Sequence, residues 1–332
     1  MQERIFERIV NIKSKGKRLD LYLYQSGCGI SREKIKRAIE EGLVEINGKI
    51  VKKPSYRVKE GEHILIRIKE EPKKELVPEE VPFEIIYEDE YLAIINKPKG
   101  IVVHPAKGHH SGTIVHGLIF RYGELPLQDD EDEENIRAGI IHRLDKDTSG
   151  CMVVAKDKET LTKLGIMMER REIKREYRAL VWGIMPQKSF EIDAPIGRDP
   201  VNRLKRKVTY ENSKPAITIY EVLKEFNKIC SLLKINLLTG RTHQIRVHME
   251  YMGHPVVGDP LYSGREARKI LNITGSDKKE EVKNLLTIFS SQALHAYKIS
   301  FTHPITGKYI EVEADYPEEF KRGLEYLKKF EN

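Results

Sequence analysis

The sequence predicts an α+β fold with a separate basic module at its N-terminus, and three observations carry that reading. Strand-like runs (YLAIINK, AGIIH, CMVVAK, YRALVWG, ITIYEVL, CSLLKINLL, YIEVEA) outnumber the helical segments TLTKLGIMMERRE, HQIRVHMEYMG and PEEFKRGLEYLKKF. The two kinds do not alternate strictly, which disfavours a doubly wound parallel sheet. At 332 residues the chain is long enough for about two domains. The charge is also partitioned. Residues 1–75 hold 19 Lys and Arg against 12 Asp and Glu, whereas the remainder holds 39 of each, so the whole net charge of +7 belongs to the first quarter. An excess confined to one module points to a polyanionic partner.

Other classes fall away early. No run of 18 apolar residues exists, so no membrane-spanning helix is expected. The N-terminus MQERIFERIV lacks the apolar core of a secretory signal. Cys28, Cys151 and Cys230 lie far apart and form no C-x-x-C pair, which fits a reducing cytoplasm.

In chain order, KRLDLYLYQSG (17–27) predicts a short buried helix closed by Gly27. ISREKIKRAIEEG (30–42) predicts a second, with Ser31 as N-cap, Ile35, Ala38 and Ile39 at helical spacing, and Gly42 as its stop. VEINGKIV predicts two strands joined at Asn47-Gly48, and GEHILIRIK (61–69) alternates like another strand. Residues 17–69 resemble the alpha-L RNA-binding module of the small-subunit ribosomal protein S-four. The matching residues are Arg18-Leu19-Asp20, Ser31-Arg32, Ile35-Lys36, Gly42, Val44, Asn47-Gly48 and Gly61. The resemblance implies a small α/β RNA-binding domain over 1–70. Lys17, Arg18, Arg32, Lys34, Lys36, Arg37, Lys49, Lys52 and Lys53 are its candidate phosphate contacts. EEPKKELVPEEVP (70–82), rich in Pro, Glu and Lys, predicts an extended linker over 71–82. Residues 83–332 read as one large domain, with an acidic loop at 129–134 and a helical insertion at 265–290.

Chemistry concentrates in three stretches. AGIIHRLDKDTSGCMVVAKD (138–157) predicts strand–loop–strand, with two carboxylates, Asp145 and Asp147, aimed the same way from the loop. KREYRALVWG (174–183) places Tyr177 among Lys174, Arg175 and Arg178, a pattern suited to base stacking. LLTGRTHQIRVHMEYMGHPVVGDPLY (237–262) closes a strand and starts a helix, with Thr242 as the expected N-cap and His243, Arg246 and Val247 on nearby turns. His243, His248 and His254 invite a metal reading. Their spacing is poor, no carboxylate stands at i+4, and neighbouring arginines oppose a cation, so no metal is expected. No phosphate-binding loop, dinucleotide turn or nucleophile elbow appears, so no nucleotide cofactor is expected.

The motifs NKPKGIVVHPAKG (96–108), AGIIHRLDKDTSG, KREYRALVWG, TGRTHQIRVH, GHPVVGDPLY and QALHA (292–296) resemble, in order, those of the ribosomal large-subunit pseudouridine synthases of the RluA family. His104-Pro105 together with VGDPLY is more similar to the RluD-like branch. The resemblance spans residues 83–316. It implies the pseudouridine synthase fold, with a mixed, largely antiparallel central sheet and flanking helices. It also implies isomerisation of uridines in large-subunit ribosomal RNA without cofactor or metal, by a monomer. Asp145 would be the nucleophile, Tyr177 the base-stacking residue, and Arg246 the partner that keeps Asp145 ionised. Arg143 would fill the gap left by an extruded nucleotide, with His142 and Arg241 in support. The competing reading is a catalytically silent RNA-binding ribosome-assembly factor; the joint presence of Asp145, Tyr177 and Arg246 argues against it.

Overall fold

A computed structural model of the chain describes residues 3–28, 32–69, 76–105, 108–127 and 138–331. The expected cap Ser31 and the acidic loop 129–134 lie outside the described residues. Two compact units are present, the first running up to Leu76 and the second beginning at Val77.

The first unit contains β1 (Glu3–Ile9), α1 (Leu19–Gln25), α2 (Arg32–Glu41), β2 (Val44–Ile46), β3 (Lys49–Ile50) and β4 (His63–Lys69). Its sheet order is β1-β4-β2-β3. Leu19, Leu23, Ile35 and Ile39 from the two helices pack with Val44, Ile64 and Ile66 from the sheet. Asn47 and Gly48 both take positive φ, 49° and 75°, as a two-residue hairpin turn requires. β1 is an addition to the sequence reading: it pairs along the whole of β4, from Glu3 opposite Lys69 to Ile9 opposite His63.

The second unit contains β5 (Glu84–Glu88), β6 (Leu92–Lys97), α3 (Ile114–Tyr122), β7 (Ser149–Ala155), α4 (Lys158–Glu169) and β8 (Lys174–Trp182). There follow β9 (Ser189–Asp193), β10 (Ile196–Arg198), β11 (Arg206–Val208), β12 (Ser213–Lys214), β13 (Ile217–Phe226) and β14 (Cys230–Leu237). α5 (Gln244–Tyr251), α6 (Ala267–Thr274), α7 (Lys279–Ile288), β15 (Leu294–Thr302), β16 (Tyr309–Glu313) and α8 (Glu318–Leu327) complete it. The central sheet runs β5-β6-β7-β15-β8-β14-β13-β9, with β16 also on β15. It is mixed: β7 and β15 pair in parallel, and the other pairings are antiparallel. β10, β11 and β12 form a separate small sheet. Leu161 and Leu164 of α4 pack on Ile94, Val153, Ile299 and Phe301, which buries one face of the central sheet.

Two expectations are corrected. AGIIH is not a strand. Gly139 donates to the Pro126 carbonyl and accepts from the Ala155 amide, and the segment meets β7 only at the isolated antiparallel bridge Ile140–Val154. Thr242 does not cap α5. The helix begins at Gln244, and the cap position is His243, in the left-handed conformation. Among the described residues, no helix is long and apolar enough to cross a membrane.

Candidate active site

The loop before β7 carries Asp145 on a tight turn, closed by the Thr148 amide donating to the Asp145 carbonyl at 3.1 Å. The loop is therefore not extended, and the expectation that Asp145 and Asp147 aim the same way for that reason is replaced. Its return into the sheet needs Gly150, at φ 115°: a Cβ there would lie 2.2 Å from the Ala296 carbonyl oxygen of β15. From below, Lys97 at the end of β6 is fully buried. Its Nζ donates to the carbonyls of Pro98 (2.7 Å), Ile101 (2.8 Å) and Lys146 (3.0 Å). Three ammonium donors thus meet three acceptors, one of them on the residue next to Asp145. Burial pulls the Lys97 amine down to about 7, against the opposing pull of Asp147 and Asp145.

α5 brings Arg246 to this loop. The guanidinium is buried and shared between two carboxylates. Asp259 takes its fork, with Nε to Oδ2 at 2.6 Å and Nη2 to Oδ1 at 2.9 Å. Asp145 receives the remaining edge, Nη1 to Oδ2 at 3.0 Å. Desolvation works against the Arg246 charge, but hydrogen bonds and attraction from Asp259 and Asp145 prevail and raise its pKa. The two carboxylates differ in access: the Asp259 side chain is 0% exposed and that of Asp145 is 19% exposed. Asp259 also accepts the amides of Leu261 and Tyr262, at 2.8 and 3.0 Å, so it is an anchor rather than a reactive group. Asp145 is tied to Arg246 through Oδ2 alone.

Tyr177, on β8, is buried, and desolvation raises its phenol pKa; Arg175 opposes the shift and Asp145 adds to it, so the ring lies within electrostatic reach of both. Arg178 turns to other partners, pairing with Glu176 and lying 4.3 Å from the Tyr297 ring centre. His142 accepts the Val153 amide at 3.2 Å and is held neutral, its pKa pulled down to about 3 by burial and then by Arg175. Arg143 is exposed on the loop, and its charge reaches His243. Arg241 donates to the Pro215 carbonyl at 3.0 Å and lines a cleft of about 680 Å³ beside the small sheet. Arg198, Arg206, Lys207 and Lys214 line the same cleft. Near it, Val201, Leu204 and Tyr210 stand exposed on the segment between β10 and β12.

Sequence reasoning assigned no role to Asp259, Tyr262, Lys97 or this cleft. A buried arginine on a helix demands a carboxylate, and that demand was the available signal for Asp259. The three histidines do not converge. His243 faces Asp145, His248 is bonded to Thr218 and the Ala194 carbonyl, and His254 to the Trp182 carbonyl. Among the described residues there is no group of three or more His, Cys, Asp or Glu able to hold a metal.

In the first unit, Arg18 and Arg32 are brought together. Both bond the buried Asp20 at 3.0 Å, and their side chains remain about half exposed. Burial opposes the Asp20 charge, but the two arginines hold its pKa below the ordinary value. Lys17 donates to Gln25 at 2.9 Å. Lys36, Arg37, Lys49, Lys52 and Lys53 are exposed, and Lys34 is half-buried on α2.

Residues 91–251 match the family model for RNA pseudouridylate synthase, and residues 17–64 match that for the S4 domain. The chain is 40% identical over 96% of its length to ribosomal large subunit pseudouridine synthase D of Pasteurella multocida, 94% of which is covered. It is 40% identical over 94% of its length to the Escherichia coli protein of the same name, 91% of which is covered. Among solved structures, human RNA pseudouridylate synthase domain containing 4 superposes with a TM-score of 0.53 at 23% identity, over 74% of this chain and 92% of that one, a likeness of fold. The chain belongs to the RNA pseudouridylate synthase family and is an RNA pseudouridine synthase. The RluD-like branch read from His104-Pro105 and VGDPLY agrees with these relatives.

Proposed function

We propose that this chain isomerises specific uridines of large-subunit ribosomal RNA to pseudouridine, with Asp145 as nucleophile on an extruded base. The observation that carries the reading is the division of labour at Arg246. A fork engaged by Asp259 leaves the Nη1 edge to pair with Asp145 Oδ2, while Oδ1 stays available. Oδ1 attacks the uracil ring or the ribose carbon as the glycosidic bond breaks. The base then turns and rejoins the ribose through a ring carbon as the bond to Asp145 breaks; that carbon gives up its proton and the freed ring nitrogen takes one up. One C–N bond is exchanged for one C–C bond within a single nucleoside, so the net reaction consumes no redox or nucleotide cofactor.

A stacked uridine hides its glycosidic bond, and extrusion costs a few kcal/mol. Tyr177 supplies a face for the extruded base, and Arg143, exposed on the same loop as Asp145, fills the vacated place, with His142 and Arg241 in support. Residues 1–70 serve as the RNA-binding domain, 71–82 as linker and 83–332 as catalytic domain. The S4-domain match and the basic surface of the first unit support RNA as partner. The basic cleft beside Arg241, with the exposed Tyr210 near it, suits the strand flanking the target. The test is a comparison of large-subunit ribosomal RNA from cells with and without this chain, mapped for pseudouridine at nucleotide resolution. Loss of particular pseudouridines, restored by the purified protein acting on that RNA, is expected. An unchanged map would contradict the reading.

A further inference from the structure

We propose that His243 is a positioning residue for Asp145, a neutral imidazole that presents Nε2–H to Oδ1 while Arg246 holds Oδ2. The inference rests on the assignment of Asp145 as nucleophile. It follows from a chain of contacts whose donors and acceptors can be worked out. The Arg206 amide, which can only donate, lies 2.9 Å from the Tyr262 hydroxyl oxygen. His243 Nδ1 lies 2.7 Å from the same oxygen. Tyr262 is fully buried, so its hydroxyl proton needs a partner. Directing that proton to His243 Nδ1 satisfies all three groups. A neutral imidazole that accepts at Nδ1 carries its hydrogen on Nε2.

Nε2 lies 3.9 Å from Asp145 Oδ1. That is too long for a hydrogen bond. It is a dipole directed at the carboxylate, able to orient Oδ1 without occupying the lone pair that must attack. The ring is fixed in place: it meets Tyr262 edge-on, with centroids 5.5 Å apart and planes at 81°. The Arg246 guanidinium carbon lies 4.9 Å from the centre of the same Tyr262 ring. Tyr262 therefore organises both partners of Asp145. His243 itself stands at φ 59°, ψ 19°, a conformation uncommon for a side-chain-bearing residue and found disproportionately at functional sites. The other charged groups acting on the imidazole are Arg246, Asp259 and Arg143.

The experiment compares the wild-type full chain with Asp145→Asn, His243→Asn, His243→Gln, Tyr262→Phe and the Tyr262→Phe/His243→Asn double variant. Asn tolerates the left-handed backbone and can still accept from Tyr262, but it has no donor reaching Asp145. Gln extends an amide N–H to about the place of Nε2. Single-turnover pseudouridine formation at saturating ribosomal RNA, RNA affinity and thermal melting are measured for each. His243→Asn should melt cooperatively and bind RNA nearly as wild type, yet react roughly 10- to 100-fold more slowly. His243→Gln should recover part of that loss. The double variant should be no slower than His243→Asn, because both changes cut one chain of contacts. A wild-type rate in His243→Asn, no recovery in His243→Gln, or losses that multiply in the double variant would each overturn the proposal. An active Asp145→Asn overturns the nucleophile assignment and this inference with it. An inactive Asp145→Asn beside a wild-type-rate His243→Asn overturns the inference alone.

Discussion

At the scale of the residue, the site is decided by how one guanidinium is shared. Truncating Arg246 to Met would leave the buried Asp259 without its counter-ion, a loss of order 3–5 kcal/mol that confuses catalysis with folding. Arg246→Lys is the sharper variant. It keeps the charge near both carboxylates but cannot bridge them as a planar fork does. The expected result is a folded protein with a modestly lowered melting temperature and a single-turnover rate down by roughly 100-fold. A rate within a few-fold of wild type would show that the bridging geometry is dispensable. Asp147 offers the contrast. Its charge acts on Lys97, and it has no bond to Arg246, so Asp147→Asn should keep substantial activity in the same assay. Tyr177→Phe keeps the ring face and should preserve RNA binding. If the hydroxyl moves a proton, the rate alone falls.

At the scale of the element, β7 and β15 are joined by His295. Its Nδ1 meets Ser149 Oγ at 2.8 Å and its Nε2 meets the Ala314 carbonyl at 3.1 Å, the pattern of a neutral ring that donates through Nε2. Burial drives its pKa down to about 4 from 6.5. Below 6.5 the unfolded chain binds a proton that the folded chain refuses until about 4, so this residue costs stability as the pH falls through that window, by about 1.4 kcal/mol per unit. Melting followed from pH 7 to 5 should fall less steeply in His295→Gln than in wild type; parallel curves would contradict the account. The elements that the sequence made legible are those encoded locally. α1, α2 and the β2–β3 hairpin announce themselves through Gly27, Gly42 and Asn47-Gly48, residues that act on their immediate neighbours. β1 stayed hidden because its pairing depends on β4, some 60 residues further on. AGIIH misled because a short apolar run looks the same whether it pairs along a strand or meets it at one bridge. At the site, Asp145, Tyr177 and Arg246 stood out through their motifs. Asp259, Tyr262 and Lys97 did not, because each acquires its meaning only when α5, the 255–262 segment and the end of β6 meet in space.

At the scale of the whole molecule, the excess of seven positive charges sits before residue 76, while the Asp145–Arg246–Asp259 constellation lies wholly in the second unit. Removing residues 1–75 should therefore weaken binding to ribosomal RNA and flatten its dependence on salt, because fewer phosphate contacts release fewer counterions. An unchanged salt slope would deny the first unit its role. The most direct test of the central claim is single-turnover pseudouridine formation by Asp145→Asn on a large-subunit ribosomal RNA fragment, with folding checked by melting and binding by titration. The Asp145→Asn protein should fold and still bind RNA, since phosphates are held by cations elsewhere, while its turnover falls to background because the charged nucleophile is gone. A folded Asp145→Asn protein that isomerises uridine at near the wild-type rate would contradict it.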